Sequence, residues 1–283
     1  FSGRSRFNGT FGNERGSSSY SFLGFAIIAV VVVAAIVWFP WDQVFETGKD
    51  AGILNAKQAM VGKQWKSAIG FFDSVIKADP KNVDAFMGRS LAELQLGEGD
   101  KALEDANKAV EMAPKSAVAY AQRGLVQKRL GKNGDAEKDF TQAITLDPGY
   151  AWALGQRADI YSSQNKPDKA LADIEAALKA NPQFVEALRM KAWILSRAGK
   201  CKEASVVFAT VIEKRPNDPA SVQDAAWFLM TCPDEKLQDP VKAKALAEKA
   251  EKLSNGKDGM VLETLAEAYF RGGDALKAAD TQK

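Results

Sequence analysis

Five prolines stand in register along the chain: Pro80, Pro114, Pro148, Pro182 and Pro216, each at the same interval after the one before. That interval, about 34 residues, is the size of one helix–turn–helix unit, and repetition of such units builds a solenoid. The fold class that follows is all-α, before any propensity is counted. A stack of helical hairpins presents one long surface rather than a catalytic cleft.

Aligned on the prolines, other columns repeat. A small residue recurs as Ala68, Ala102, Ala136, Ala170 and Ala204, and a second small column runs Ala56, Ser90, Gly124, Ala158 and Ala192. Packing residues recur as Phe72, Ala106, Phe140, Ile174 and Phe208, and as Val75, Ala109, Ala143, Ala177 and Val211. Small side chains let paired helices approach closely, and the larger apolar ones fill the remaining space. Gly97, Gly131 and Gly199 fall between the two helices, where positive φ is easiest for glycine. Each proline closes a second helix because it cannot continue one.

These columns, complete in the stretch 155–182, resemble the tetratricopeptide family. The resemblance covers residues 49 to 283 and implies a helix–turn–helix solenoid over 42–283 of about six full repeats plus a truncated seventh. After Pro216 the strict period lapses. Residues 219–231 read as a first helix, Cys232 to Pro240 as a long loop, and 241–255 as a second helix. Residues 259–283 open a seventh unit that stops inside its second helix.

Net charge is +2, and no basic stripe with interleaved aromatics points to nucleic acid. Histidine is absent, which removes the commonest general base and the commonest metal ligand together. Neither a phosphate-binding glycine loop nor a nucleophile elbow is found. No catalytic, cofactor or metal residues are assigned, and the chain reads as a non-enzyme. Cys201 and Cys232 form no C-x-x-C pair. They fall on neighbouring hairpins whose helix spacing of about 8–10 Å exceeds the reach of a disulfide, so two free thiols are expected.

Residues 16–41 carry no charge, and 22–39 form an unbroken apolar run. As a helix this run of about 18 residues is roughly 27 Å long, near the thickness of a bilayer core. Tyr20 flanks one end, and Trp38 and Trp41 the other, as interfacial aromatics do. A single-pass transmembrane helix over 20–41 is expected, after a flexible Gly/Ser/Arg-rich segment 1–19. Arg4, Arg6 and Arg15 precede the span, and the positive-inside rule puts the N-terminus in the cytoplasm. The repeats then occupy a periplasm or its organelle equivalent.

Arg89, Arg123 and Arg157 recur on first helices, and Asp105, Asp139 and Asp173 on second helices, each at one constant offset after its arginine. Where one column fails so does the other, at Asn55 with Phe71 and at Lys191 with Val207. That joint loss reads as a structural ladder of contacting pairs.

By resemblance, first helices line a concave groove. Its candidate protein-binding residues are Leu91, Leu125, Lys128, Arg129, Trp152, Arg189, Trp193, Arg197 and Trp227, with Met87, Leu94, Val118, Asp159 and Gln223 beside them. The Lys/Asn clamp by which some members hold acidic chaperone tails is not matched at Ile53, Lys57, Gly88, Val118 and Gln122. The expected function is a membrane-tethered scaffold for protein partners, an accessory or assembly subunit of a larger membrane complex. The alternatives are a secretion or biogenesis factor that holds client polypeptides, and the regulatory part of a larger enzyme.

Overall fold

A computed structural model describes residues 51–281. The expected span 20–41 and the segment 1–19 lie outside the described residues. Every regular element among the described residues is helical. Fourteen α-helices pair as seven hairpins: α1 (Ala51–Val61) with α2 (Trp65–Ala78), α3 (Val83–Gln95) with α4 (Gly99–Met112), α5 (Ala117–Arg129) with α6 (Asn133–Leu146), α7 (Ala151–Ser163) with α8 (Pro167–Ala180), α9 (Val185–Arg197) with α10 (Cys201–Lys214), α11 (Pro219–Thr231) with α12 (Pro240–Ser254), and α13 (Gly259–Arg271) with α14 (Ala275–Thr281). None of these helices is long and apolar enough to cross a membrane.

Each helix packs on the next in sequence, so every second helix lies between the first helices of its own and the following hairpin. The columns explain why. Ala68, Ala102, Ala136, Ala170 and Ala204 are wholly buried, as are Ala56, Ser90, Ala158 and Ala192. Phe72, Phe140 and Ile174 fill the gaps between helices with no exposed surface. The fit is close enough that a Cβ on Gly88 would lie 2.2 Å from the Phe72 ring, so α3 can seat there only with glycine. The columns continue past the lapse in period. Ala243, Ala247 and Ala250 are each wholly buried and take the slots of Ala204, Phe208 and Val211, after a longer interval than the repeat. The extra residues form the turn of the sixth hairpin, which holds a short 3-10 helix, Glu235–Leu237. It is closed by the Asp239 amide donating to the Leu229 carbonyl at 3.1 Å.

Helix starts are set locally at the residue two after each proline. Asn82, Ser116 and Asp218 accept from the backbone N–H three residues on, satisfying a donor that has no partner within the helix. Tyr150 and Phe184 hold the same position without a side-chain cap. The hairpin turn requires a left-handed residue in each of the first five units. Gly97, Gly131 and Gly199 supply it, but Lys63 and Asn165 occupy the equivalent position with φ of 55° and 57°. For a residue with a Cβ that conformation costs roughly 1–2 kcal/mol, less for asparagine. Lys63→Gly is therefore expected to stabilise the first hairpin by about 0.5–1 kcal/mol, glycine's larger unfolded-state entropy offsetting part of the relief. Asn165→Gly should gain less. Hydrogen-exchange protection of the α1–α2 amides checks the first, and slower exchange is the expected result.

Candidate protein-binding face

The arginine column lies where three helices meet. Arg89 Nε donates to Asp105 Oδ2 at 2.6 Å and its Nη2 to Asp105 Oδ1 at 2.9 Å. Arg123 grips Asp139 the same way at 2.7 and 2.7 Å, and Arg157 grips Asp173 at 2.8 and 2.7 Å. The planar fork suits a carboxylate held by two donors. In each case the remaining Nη1 reaches back to the previous hairpin: to Asp73 at 2.7 Å, Asn107 at 3.2 Å and Thr141 at 3.1 Å. One guanidinium thus joins two successive second helices through the first helix between them. It also stacks on an aromatic ring of its own helix: Phe86, Tyr120 and Tyr161 lie 5.5, 5.5 and 5.8 Å from Arg89, Arg123 and Arg157. The hydrogen bonds to the aspartates, against the opposing effect of burial, raise all three arginines above their ordinary pKa.

The backward contact does not emerge from the Arg–Asp pairing alone. Its signal is the column Asp73, Asn107, Thr141 and Glu175, each at the same offset before a ladder cation. Lys191, where the arginine column fails, still makes that contact, to Glu175 at 3.3 Å. Arg123→Ala and Asp139→Ala are each expected to destabilise the array. Their double-mutant cycle should show coupling of about 1–3 kcal/mol, measured by chemical denaturation. Strict additivity would mean that the two groups act separately.

The first-helix face differs from the groove that the resemblance implies. Successive first helices touch directly, as in α1–α3, α3–α5, α7–α9, α9–α11 and α11–α13. Side chains on this face therefore fall between helices. Met87, Leu91, Leu94, Leu125 and Trp152 are buried, so they are core residues and not exposed anchors. Trp152 packs edge-on against Phe140, with ring centroids 6.0 Å apart. Trp193 is half-buried and packs edge-on against Phe208 at 5.4 Å, and Trp227 is half-buried against the core around Met230 and Leu265.

The polar candidates are mostly tied to the neighbouring first helix. Lys128 Nζ lies 2.5 Å from Asp159 and donates to Gln156 Oε1 at 2.9 Å. Arg189 Nε donates to Asp224 at 2.6 Å, in a pair with little exposed surface. Burial works against the Arg189 charge, but Asp224, with Asp218 and Glu186, outweighs it and the pKa ends raised. Gln223 donates to Thr264 at 2.8 Å, the Gln122 amide donates to the Met87 carbonyl, and Arg271 donates to the Met230 carbonyl at 2.7 Å. Val118 is half-buried, Arg197 is exposed, and Arg129 is half-buried with no acid of the described residues within ion-pair distance. Burial alone lowers the Arg129 pKa.

Glu93, on α3, is a carboxyl that no repeat column marks. It is buried, its Oε2 has no hydrogen-bond partner, and Arg89 Nε is 4.0 Å from Oε1. Burial first, and the Asp105 charge next, push its carboxyl from 4.5 up to about 7. A carboxyl that holds its proton longer when folded contributes stability fully present below about pH 4.5 and lost as pH rises through about 7. Stability is expected to fall by on the order of 2 kcal/mol between about pH 5 and pH 8, discounted for partial solvent screening. Glu93→Gln should remove that slope, as read from denaturation midpoints across the range.

Cys201 and Cys232 are both free thiols. Helix spacing does not hold them apart, however, because both enter one core cluster with Phe208, Phe228 and Leu195. Cys232 ends α11 at its C-cap and turns inward with the long loop, which brings its side chain to the start of α10. No group of three or more metal-ligating side chains occurs among the described residues.

Hairpins stacked through small-residue columns and tied by recurring ion pairs define a helical-repeat protein. Tetratricopeptide repeat models match residues 56–117, 117–150, 140–172 and 163–226, together spanning 56–226. The chain belongs to the tetratricopeptide repeat family. No curated protein matches it. Among solved structures, a tetratricopeptide repeat protein of Parabacteroides merdae is similar at a TM-score of 0.65 and 18% identity, covering 84% of this chain and 91% of that one. MamA is similar at a TM-score of 0.50 and 26% identity, covering 59% and 95%. YrrB, described as a tetratricopeptide protein with an unusual peptide-binding site, is similar at a TM-score of 0.50 and 20% identity, covering 71% and 97%.

Proposed function

We propose that this chain is a membrane-tethered scaffold that holds protein partners beside the membrane, as an accessory or assembly subunit of a larger membrane complex. The repeat family supports the scaffold. The uncharged apolar run 22–39 carries the tether, and Arg4, Arg6 and Arg15 before it favour an N-terminus in the cytoplasm with the repeats across the membrane. A tether confines the search for partners to the membrane surface and raises their effective concentration.

The partner surface is what the internal ties leave over. With Leu91, Leu125 and Trp152 buried and Lys128 and Arg189 paired, the remaining candidates are Trp193, Trp227, Arg129 and Arg197. Large aromatic and arginine side chains are the types that dominate interaction energies. The peptide-binding site described for YrrB favours a polypeptide ligand.

Detergent extraction of the full chain followed by pull-down and mass spectrometry tests the reading. Stoichiometric recovery of membrane subunits is expected, and Arg197→Glu should weaken it without changing thermal stability. Removing residues 1–41 should move the chain out of the membrane fraction while its helical circular dichroism persists. Membrane partition unchanged by that truncation would overturn the tether.

A further inference from the structure

The fifth and sixth hairpins carry a chemical feature that the scaffold does not use. Cys201 is the first residue of helix α10, and Cys232 is the last-turn cap of α11. Both side chains are almost fully buried in the same cluster, at 3% and 1% exposure. They are the two cysteines of the chain. The turn that carries Cys232 rests on α10 through its 3-10 helix. It is held by the Gln238 amide donating to the Cys232 carbonyl at 2.8 Å. A surface depression of about 290 Å³ opens at this point, lined by Gly199, Lys200, Cys201, Lys202, Glu203 and Asp234.

The geometry points to Cys201 and Cys232 as a reversible dithiol–disulfide pair, oxidised by low-molecular-weight disulfides that enter the depression beside Cys201. The two positions differ in access. Cys201, the first residue of α10, lines the depression, whereas Cys232 does not. Cys232 is the inner thiol. Burial, and next its interaction with Cys201, push its thiol up. Cys201 is therefore the attacking sulfur and Cys232 the resolving one.

The exchange balances in two displacements. The Cys201 thiolate attacks one sulfur of R–S–S–R, forming a protein–S–S–R bond and expelling RS⁻, which takes up the proton that Cys201 gave to solvent. Cys232 then loses its proton and attacks Cys201 Sγ. The Cys201–Cys232 bond forms, the second RS⁻ leaves, and that proton goes to it. The protein loses two electrons and R–S–S–R becomes two RSH. The product bond fastens the start of α10 to the end of α11, stapling two successive hairpins and pinning the long turn.

Glutathione is the probe. The full chain in detergent is equilibrated in mixtures of reduced and oxidised glutathione, acid-quenched, alkylated after unfolding and weighed intact. The expected result is loss of both alkylation labels together as the mixture becomes oxidising, with no glutathione retained and full recovery on reduction. In Cys232→Ser, glutathione should remain bound to Cys201, whereas Cys201→Ser in its folded state should take up none. Two outcomes in the unmutated chain would overturn the proposal. Both labels persisting in fully oxidised glutathione would show that the thiols are inaccessible, and a retained glutathione adduct would show that Cys232 cannot reach Cys201.

Discussion

A hairpin of two short amphipathic helices has more apolar surface than it can cover by closing on itself, so each unit must be covered by the next. That requirement governs the described chain. Second helices such as α4 and α6 sit between first helices, and the residues at their centres, Ala102, Ala106, Ala136 and Phe140, are buried from both sides. The geometry works only where one partner at each contact is small. Gly88 beneath the Phe72 ring is the tightest instance.

Apolar columns pull hairpins together but leave their rotation about the stacking direction weakly specified, because small residues slide past one another. The arginine fork supplies direction. Arg89, Arg123 and Arg157 each need a carboxylate of their own hairpin and an acceptor of the previous one at the same time. The opposite face is tied as well, by Lys128 to Asp159, Arg189 to Asp224 and Gln223 to Thr264. Half-buried charged contacts of this kind add modest net stability but penalise misregister strongly, since a slipped arginine would leave a buried charge unpaired. Their consequence for function is that much of the polar and aromatic equipment of the first helices serves cohesion.

The sixth hairpin shows how the array absorbs a change of length. Its turn is longer, yet Ala243, Ala247 and Ala250 return to the buried slots, so the inserted residues stay in the loop. The same longer loop carries Cys232 inward to Cys201. A departure from the repeat thus becomes a place where distinctive chemistry collects, while in a strictly periodic unit such as α5–α6 most side chains serve packing and the ladder.

Periodicity by itself determined the fold: the prolines, small columns and turn glycines each answer to a local or nearest-neighbour requirement that recurs in every unit. The Arg–Asp pairs were legible for the same reason, since both partners repeat and fail together. The turn positions of Lys63 and Asn165 and the caps Asn82, Ser116 and Asp218 also belong to fixed slots, although their residue types vary too much for composition to mark them. What only the tertiary structure decided is which side of a first helix meets solvent. Leu91, Leu125 and Trp152 share a face with Arg197, but neighbouring first helices approach closely enough to bury the former and leave the latter open. Exposure depends on the distance between helices that a repeat pattern does not encode, and so does the meeting of Cys201 with Cys232 through a turn that breaks the period.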